Sequence, residues 1–317
     1  MSTYRVQFHK DFTFRHALEC VDYWDSVGIT HIYAAPFLTA RPGSVHGYDV
    51  VDSRAINPEI GTEDDLARFH EALAARGMGL IMDLVPNHMC VNTNDNVWWN
   101  DVLENGPSSL FATFFDVDWR PPKAELRDKV LLPVLGDQYG KALESGELGL
   151  QETAGALRVH YRDRAFPIAP GTYPRVLDGV LRRLRESAGA SEGAAVTLLE
   201  HVITTARSLP GRSETEAIRM EQRRRSKELV KSGLNELLTT SPAARRAMDE
   251  ELLEINGSPG SPRSFDALEG LLGDQAYRLA FWRVAADHIN YRRFFDVDDL
   301  AAIRIEEPDV LEAVHAK

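Results

Sequence analysis

The chain has 317 residues, 44% hydrophobic and 26% charged, enough for one large or two ordinary domains with a packed core, which excludes a disordered or fibrous protein. Thirty-six Lys and Arg against 48 Asp and Glu give a formal charge of −12 with no basic stripe, which argues against nucleic acid as a partner. Apolar runs such as 79–85 fall far short of the roughly 18 residues of a membrane span, and no leader or anchor pattern is visible. Two cysteines, Cys20 and Cys90, exclude a disulfide scaffold and offer no metal-binding cluster. A cytoplasmic location with no membrane partner is therefore expected.

Residues 4–8 read as a short strand, and Phe14, Ala17, Leu18, Val21 and Trp24 then recur at helical spacing until Gly28. A second strand, 31–35, ends at Pro36 and is followed by a polar loop to Gly61. Thr62 with Asp65 three positions on forms a capping-box pattern that opens a helix over 66–75, closed by Gly77. The nearly continuous apolar run 79–85, bounded by Gly and Pro, suits a strand covered on both faces. This alternation predicts an α/β architecture with right-handed crossovers, either a doubly wound sheet or a barrel.

After Met89 the period breaks into a loop-rich, aromatic-rich stretch as far as Pro174, with Trp98, Trp99, Phe111, Phe114, Phe115 and Trp119. These aromatics suit the core of an inserted region better than a wall of a binding site. From 175 to 253 the pattern is helical. Its run Arg223-Arg-Arg225 reads as a solvated helix face balanced by Glu214, Glu216 and Glu221. A loop at 258–262 and a last helix over 265–290 precede Tyr291-Arg-Arg-Phe-Phe295.

Two polar clusters stand where strands end, the place at which α/β sheets and barrels bind ligands. Asp83-Leu-Val-Pro-Asn87-His88 offers acceptors and donors to a hydroxyl-rich ligand, while Pro86 stiffens the turn. His46-Gly-Tyr48-Asp49 follows the second strand, and Tyr48 has a flat face for a sugar ring and a hydroxyl for its edge. Either cluster alone fits an ordinary turn; two on consecutive strand-helix units are harder to explain that way.

These residues resemble the alpha-amylase family of glycoside hydrolases. Together with Thr3-Tyr-Arg-Val-Gln-Phe8, Arg41-Pro-Gly-Ser-Val-His-Gly-Tyr-Asp-Val-Val-Asp52, Leu132-Pro-Val-Leu-Gly136 and Ile289-Asn-Tyr-Arg-Arg-Phe-Phe295, they resemble its maltooligosyltrehalose synthase branch over nearly the whole chain. The resemblance implies the first part of a (β/α)8 TIM barrel with a large, mostly helical insertion after the third strand. Residues 1–89 would hold three βα units, 90–295 the insertion (mainly helical after about 174) and 296–317 the return toward a fourth strand. It further implies a (1->4)-alpha-D-glucan 1-alpha-D-glucosylmutase, an isomerase of trehalose biosynthesis. Such an enzyme moves the reducing-end α-1,4 linkage of a maltooligosaccharide to an α,α-1,1 linkage, in functional coupling with a trehalose-releasing hydrolase. Tyr48 would stack under the sugar at the cleaved bond, His88 would hydrogen-bond it, and His46, Asp49, Asp83 and Asn87 would order the rim.

Retaining transfer needs two carboxyl groups about 5–5.5 Å apart. The family's Gly-x-Arg-x-Asp nucleophile motif and its later Glu motif are not found within the 317 residues, so both groups are expected beyond Lys317 and the segment alone is expected to be inactive and aggregation-prone. The nearest string, Ala302-Ile-Arg304-Ile-Glu306, has Glu where Asp is needed and reads as a decoy. No cofactor and no metal site are expected. The competing readings are an alpha-amylase-type glucan hydrolase and a non-catalytic α-glucan-binding fragment.

Overall fold

The computed structural model describes residues 1–92, 94–187 and 192–315, and its contacts divide the chain into two compact units. The first comprises Met1–Val97, Phe114–Asp116 and the chain from Arg292; the second comprises Trp98–Thr113 and Val117–Tyr291.

The first unit opens with β1 (Thr3–Val6), helices α1 (Phe14–Glu19) and α2 (Val21–Ser26), β2 (His31–Ala34), strands β3 (Leu38–Ala40) and β4 (Val50–Ile56), α3 (Glu63–Ala74), β5 (Gly79–Met82) and β6 (His88–Cys90). β1, β2 and β5 form a parallel sheet in that order, with Arg5 level with Tyr33 and Tyr33 level with Ile81. Strand alternation gives this sheet two unlike faces. Val6, Ile32 and Ala34 lie on one, buried with Phe8, Phe14, Trp24, Phe69 and Leu73 in a core whose Phe8 and Phe14 rings are 4.9 Å apart. Arg5 and Tyr33 lie on the other, and it is open.

Three local expectations need correction. The helical spacing over 14–24 is broken at Cys20, whose amide bonds to the Ala17 carbonyl at 3.0 Å and tightens the last turn of α1 before α2 begins. The loop expected from 36 to 61 contains the antiparallel pair β3 and β4. Of the run 79–85 only Gly79–Met82 is strand, and it lies at a sheet edge instead of being covered on both faces: Gly79, Leu80 and Ile81 are half-buried and Met82 is exposed. The capping box is formed as expected, with Asp65 N donating to Thr62 Oγ1 at 3.2 Å and Thr62 N donating to Asp65 Oδ2 at 3.1 Å, and α3 begins directly after it at Glu63, three residues before the expected 66.

The second unit contains α4 (Val97–Asn105), β7 (Val130–Leu135), α5 (Tyr139–Glu144), the antiparallel strands β8 (Leu148–Thr153), β9 (Ala156–Tyr161) and β10 (Arg164–Pro167), helices α6 (Pro174–Ser187), α7 (Gly193–Arg207), α8 (Ala217–Thr240) and α9 (Pro242–Ile255), then α10 (Asp266–Gly273), β11 (Tyr277–Phe281) and α11 (Ala285–His288). The helical region expected from 175 to 253 is thus α6 to α9, packed about Leu177, Val180, Leu199, Val202, Leu234 and Met248. The single helix expected over 265–290 is not formed. Tyr277 to Phe281 pairs in parallel with β7 and buries Tyr277 and Leu279 at a period of two. Trp98 and Trp99 are buried, Trp98 stacked on Phe111 at 5.6 Å and Trp99 edge-on to Tyr291 at 5.2 Å, as core residues of this unit. The Arg run is mixed: Arg224 and Arg225 pair with Glu221 at 2.7 and 2.6 Å on the surface, whereas Arg223 is buried and donates to Asn105 Oδ1 at 3.0 Å.

The chain returns to the first unit through β12 (Arg293–Phe294), β13 (Val297–Ala302) and α12 (Pro308–His315). β13 pairs antiparallel with both β12 and β6, setting Ala302 opposite His88 and Leu300 opposite Cys90. No described helix is long and apolar enough to cross a membrane.

Candidate active-site rim

The open face of the parallel sheet collects polar groups from three neighbouring strands because they share its alternation. Asp83, just past β5, is half-buried, and its Oδ2 accepts from the Tyr33 hydroxyl at 2.8 Å and the Tyr48 hydroxyl at 2.7 Å. The Asp83 carboxylate holds the Tyr33 proton and, helped by partial burial, pushes that hydroxyl above its ordinary value. Arg5 Nη2 lies 3.4 Å from the Tyr48 hydroxyl, and Arg5 Nη1 donates to Gln7 Oε1 at 3.1 Å. Gln7 in turn donates to the Val45 carbonyl at 2.5 Å and anchors the loop that presents Tyr48.

That loop is fixed from beneath. Asp49 is buried, accepts from Ser44 Oγ and sits 3.4 Å from Arg41 Nε. His46 is exposed, with its ring stacked 6.1 Å from that of Tyr48, and its Nδ1 accepts from the Tyr48 amide at 3.0 Å.

His88 is buried under the same loop. Its Nε2 meets the Tyr48 carbonyl at 3.0 Å, its Nδ1 meets the Asn87 side chain at 3.1 Å, and the Phe294 ring stacks on it at 4.0 Å with an interplanar angle of 22°. Burial pushes its pKa down, although the Tyr48 carbonyl and Asp49 favour the proton. A neutral ring that donates from Nε2 to the carbonyl leaves Nδ1 to accept, which the Asn87 amide satisfies when its NH2 faces the ring. His88 therefore fixes the backbone of Tyr48, while Asn87 is itself exposed at the rim.

All six residues expected at the site belong to the first unit, and hydrogen bonds or ring contacts join Tyr48 to His46, Asp83 and His88, and His88 to Asn87. Tyr33 and Arg5 were not expected as site residues, and Phe294 was legible only as part of the Ile289-Asn-Tyr-Arg-Arg-Phe-Phe295 motif. The signal for the first two was the period-two register with Asp83; the motif of Phe294 did not reveal its partner, because the contact with His88 joins residues about 200 positions apart. Glu306 is an exposed side chain at 3.4 Å from Arg304 Nε, outside this constellation. Among the described residues no cluster of His, Cys, Asp and Glu could hold a metal ion.

Residues 16–142 match the alpha-amylase catalytic-domain family. Over 179 residues the chain is 44% identical to a protein named as a maltooligosyl trehalose synthase in Mycobacterium tuberculosis, covering 54% of this chain and 22% of that protein. The solved structure of maltooligosyltrehalose synthase from Arthrobacter ramosus superimposes with a TM-score of 0.62 at 30% identity, over 99% of this chain and 28% of that one. The DSM5389 glycosyltrehalose synthase gives a TM-score of 0.62 at 27% identity, over 99% of this chain and 31% of that one. The chain thus spans between a fifth and a third of the length of the relatives it matches. In sequence and in its TIM-barrel-like α/β fold, it is similar to the N-terminal portion of maltooligosyltrehalose synthases, within the reach of the alpha-amylase family.

Proposed function

We propose that the rim formed by Tyr48, Asp83 and their supports binds a glucose unit of a maltooligosaccharide, as part of an enzyme that converts the reducing-end α-1,4 linkage to an α,α-1,1 linkage. The observation that supports it most is the single carboxylate oxygen of Asp83 held by two tyrosine hydroxyls, which sets the Tyr48 ring beside polar groups of the open sheet face. An aromatic face with a polar edge is what a pyranose needs: its C–H groups pack on the ring and its hydroxyls meet the carboxylate, Arg5 and Asn87. His46 and Asp49 order the loop. His88, which the sequence reading places against the sugar itself, acts in this proposal through the Tyr48 backbone.

The nucleophile and the acid/base of a double displacement belong, in this reading, to sequence that follows residue 317, and 90–295 is an insertion after the third barrel strand. The 317-residue segment alone would then bind glucan without turning it over. The glucosyl intermediate must reach the sugar's own anomeric hydroxyl in place of water, so the completed site has to be closed. A reducing, cytoplasmic compartment suits the two free cysteines, and a hydrolase that releases trehalose would consume the product.

The test is maltopentaose binding and turnover by the full natural chain. Tyr48→Ala is expected to weaken binding at least about tenfold, the worth of a lost stacking and hydrogen-bonding platform. Unchanged affinity would place the sugar elsewhere. Loss of reducing ends without release of glucose marks the transfer, whereas accumulation of reducing sugar would make the enzyme a hydrolase.

A further inference from the structure

The second unit contains a cavity of about 190 Å³ bounded by α5, α10, β11 and the residue that precedes β7. Its wall includes Lys129, Tyr139, Glu269, Leu272, Tyr277 and Arg278. None of these has a role in the sugar-binding rim.

The charges in this wall are not balanced among themselves. Lys129 is half-buried and donates to the Gly273 carbonyl at the end of α10; burial first, then Arg212 and Arg278, hold its pKa down against the opposing pull of Asp274. Arg278 projects from β11 and has no ion pair among the described residues. Glu269 is the carboxylate of the wall, and Asp274, which also pairs with Arg175 outside it, acts on Lys129 together with Arg212. Tyr139 lies between the two signs: burial and Glu269 push its hydroxyl up, to about 12, while Arg278 opposes them. Tyr277 is 1% exposed, and its hydroxyl has no hydrogen-bond partner among the described residues.

A space of this size holds a molecule of roughly a hexose's bulk, far more than one water. Its electrostatics disfavour a cation, and a neutral sugar would leave the cationic excess uncompensated. We propose that this cavity binds a small organic anion, a carboxylate or phosphate monoester, with its oxyanion head on Arg278 and Lys129 and its carbon skeleton on Leu272 and the Tyr139 ring. Arg278 has the planar fork that pairs with such oxyanions, and its freedom from internal partners leaves that fork available.

Titration calorimetry of the full natural chain with gluconate, glucose 6-phosphate and glucose tests this, because the three probes share a six-carbon skeleton and differ in charge. One or both anions are expected to bind, glucose at least about tenfold more weakly, and the better anion identifies the head group. Arg278→Ala should reduce that affinity at least about tenfold while leaving the unliganded melting temperature and maltopentaose binding unchanged. Glu269→Gln should tighten it, since a like charge is removed. Glucose binding as tightly as the anions, anion binding unaffected by Arg278→Ala, or no binding of any probe at millimolar concentration would each overturn the proposal.

Discussion

Gly47 shows how a residue without a side chain controls one that has chemistry. Its φ is +76°, and a Cβ built there would stand 2.1 Å from the backbone oxygen of Pro36, a contact no rotamer can relieve. Gly47→Ala is therefore expected to displace the loop of Tyr48, lowering the melting temperature by several degrees and reducing maltopentaose affinity with it. His88 gives a second prediction at this scale. Its folded pKa lies below its ordinary 6.5, so the folded state takes up the proton less readily than the unfolded chain does. Its contribution to stability is complete above about pH 6.5 and declines as the pH falls from there toward the folded pKa. Thermal melts from neutral pH down to about 5 should show a shallower loss for His88→Gln than for the natural sequence; equal slopes would mean that His88 titrates normally. Tyr48 and Asp83 were legible because they stand in polar clusters in loops that follow strands, but the order of support was not. A sequence shows that His88 is near Asn87, not that both of its nitrogens face inward.

Between α4 and α8 the second unit buries a charge cluster that the periodicity of its helices does not reveal. Glu104 Oε2 lies 2.8 Å from Lys227 Nζ, its Oε1 lies 2.6 Å from Lys231 Nζ, and Lys227 also pairs with Asp101. Burial pushes the Glu104 carboxyl up, but the two lysines pull it down further, so it is ionised. Glu104→Ala would leave the buried Lys227 with Asp101 and the exposed, more distant Glu228, and the partly buried Lys231 with that same Glu228, at a cost of about 3–5 kcal/mol. Urea denaturation read by circular dichroism checks this, and a loss below about 1 kcal/mol would show the cluster to be solvated. Elements were misread where their pattern was short or broken up by its surroundings, or where the partner is distant. β9 alternates with Leu157, Val159 and Tyr161 buried, a pattern visible in the sequence but obscured by the surrounding Gly and Pro. β11 was taken for a helix because its five residues are too short to fix a period, and its pairing with β7 joins segments about 150 positions apart.

The parallel sheet of the first unit has β1 and β5 at its edges, and Met82 and Leu84 at the β5 side are 36% and 46% exposed. An apolar edge of this kind pairs with whatever strand reaches it. The 317-residue chain produced alone is expected to self-associate, and Met82→Lys should reduce its light scattering at equal concentration. A monodisperse natural sequence would show that the edge is already protected. The α/β class was legible because strand, helix and strand alternate cleanly through residue 82, whereas the grouping of 114–116 and the chain from Arg292 with the first unit depends on pairing across most of the sequence.

The stacking of Phe294 on His88 also sets a timetable for synthesis. The Tyr48 loop, Asp83 and His88 leave the ribosome early, but the ring that covers His88 follows about 200 residues later, roughly 10–40 s at ordinary elongation rates. During that interval His88 lacks the ring that stacks on it, so translation speed and chaperone occupancy act on the Tyr48 rim before its last support arrives.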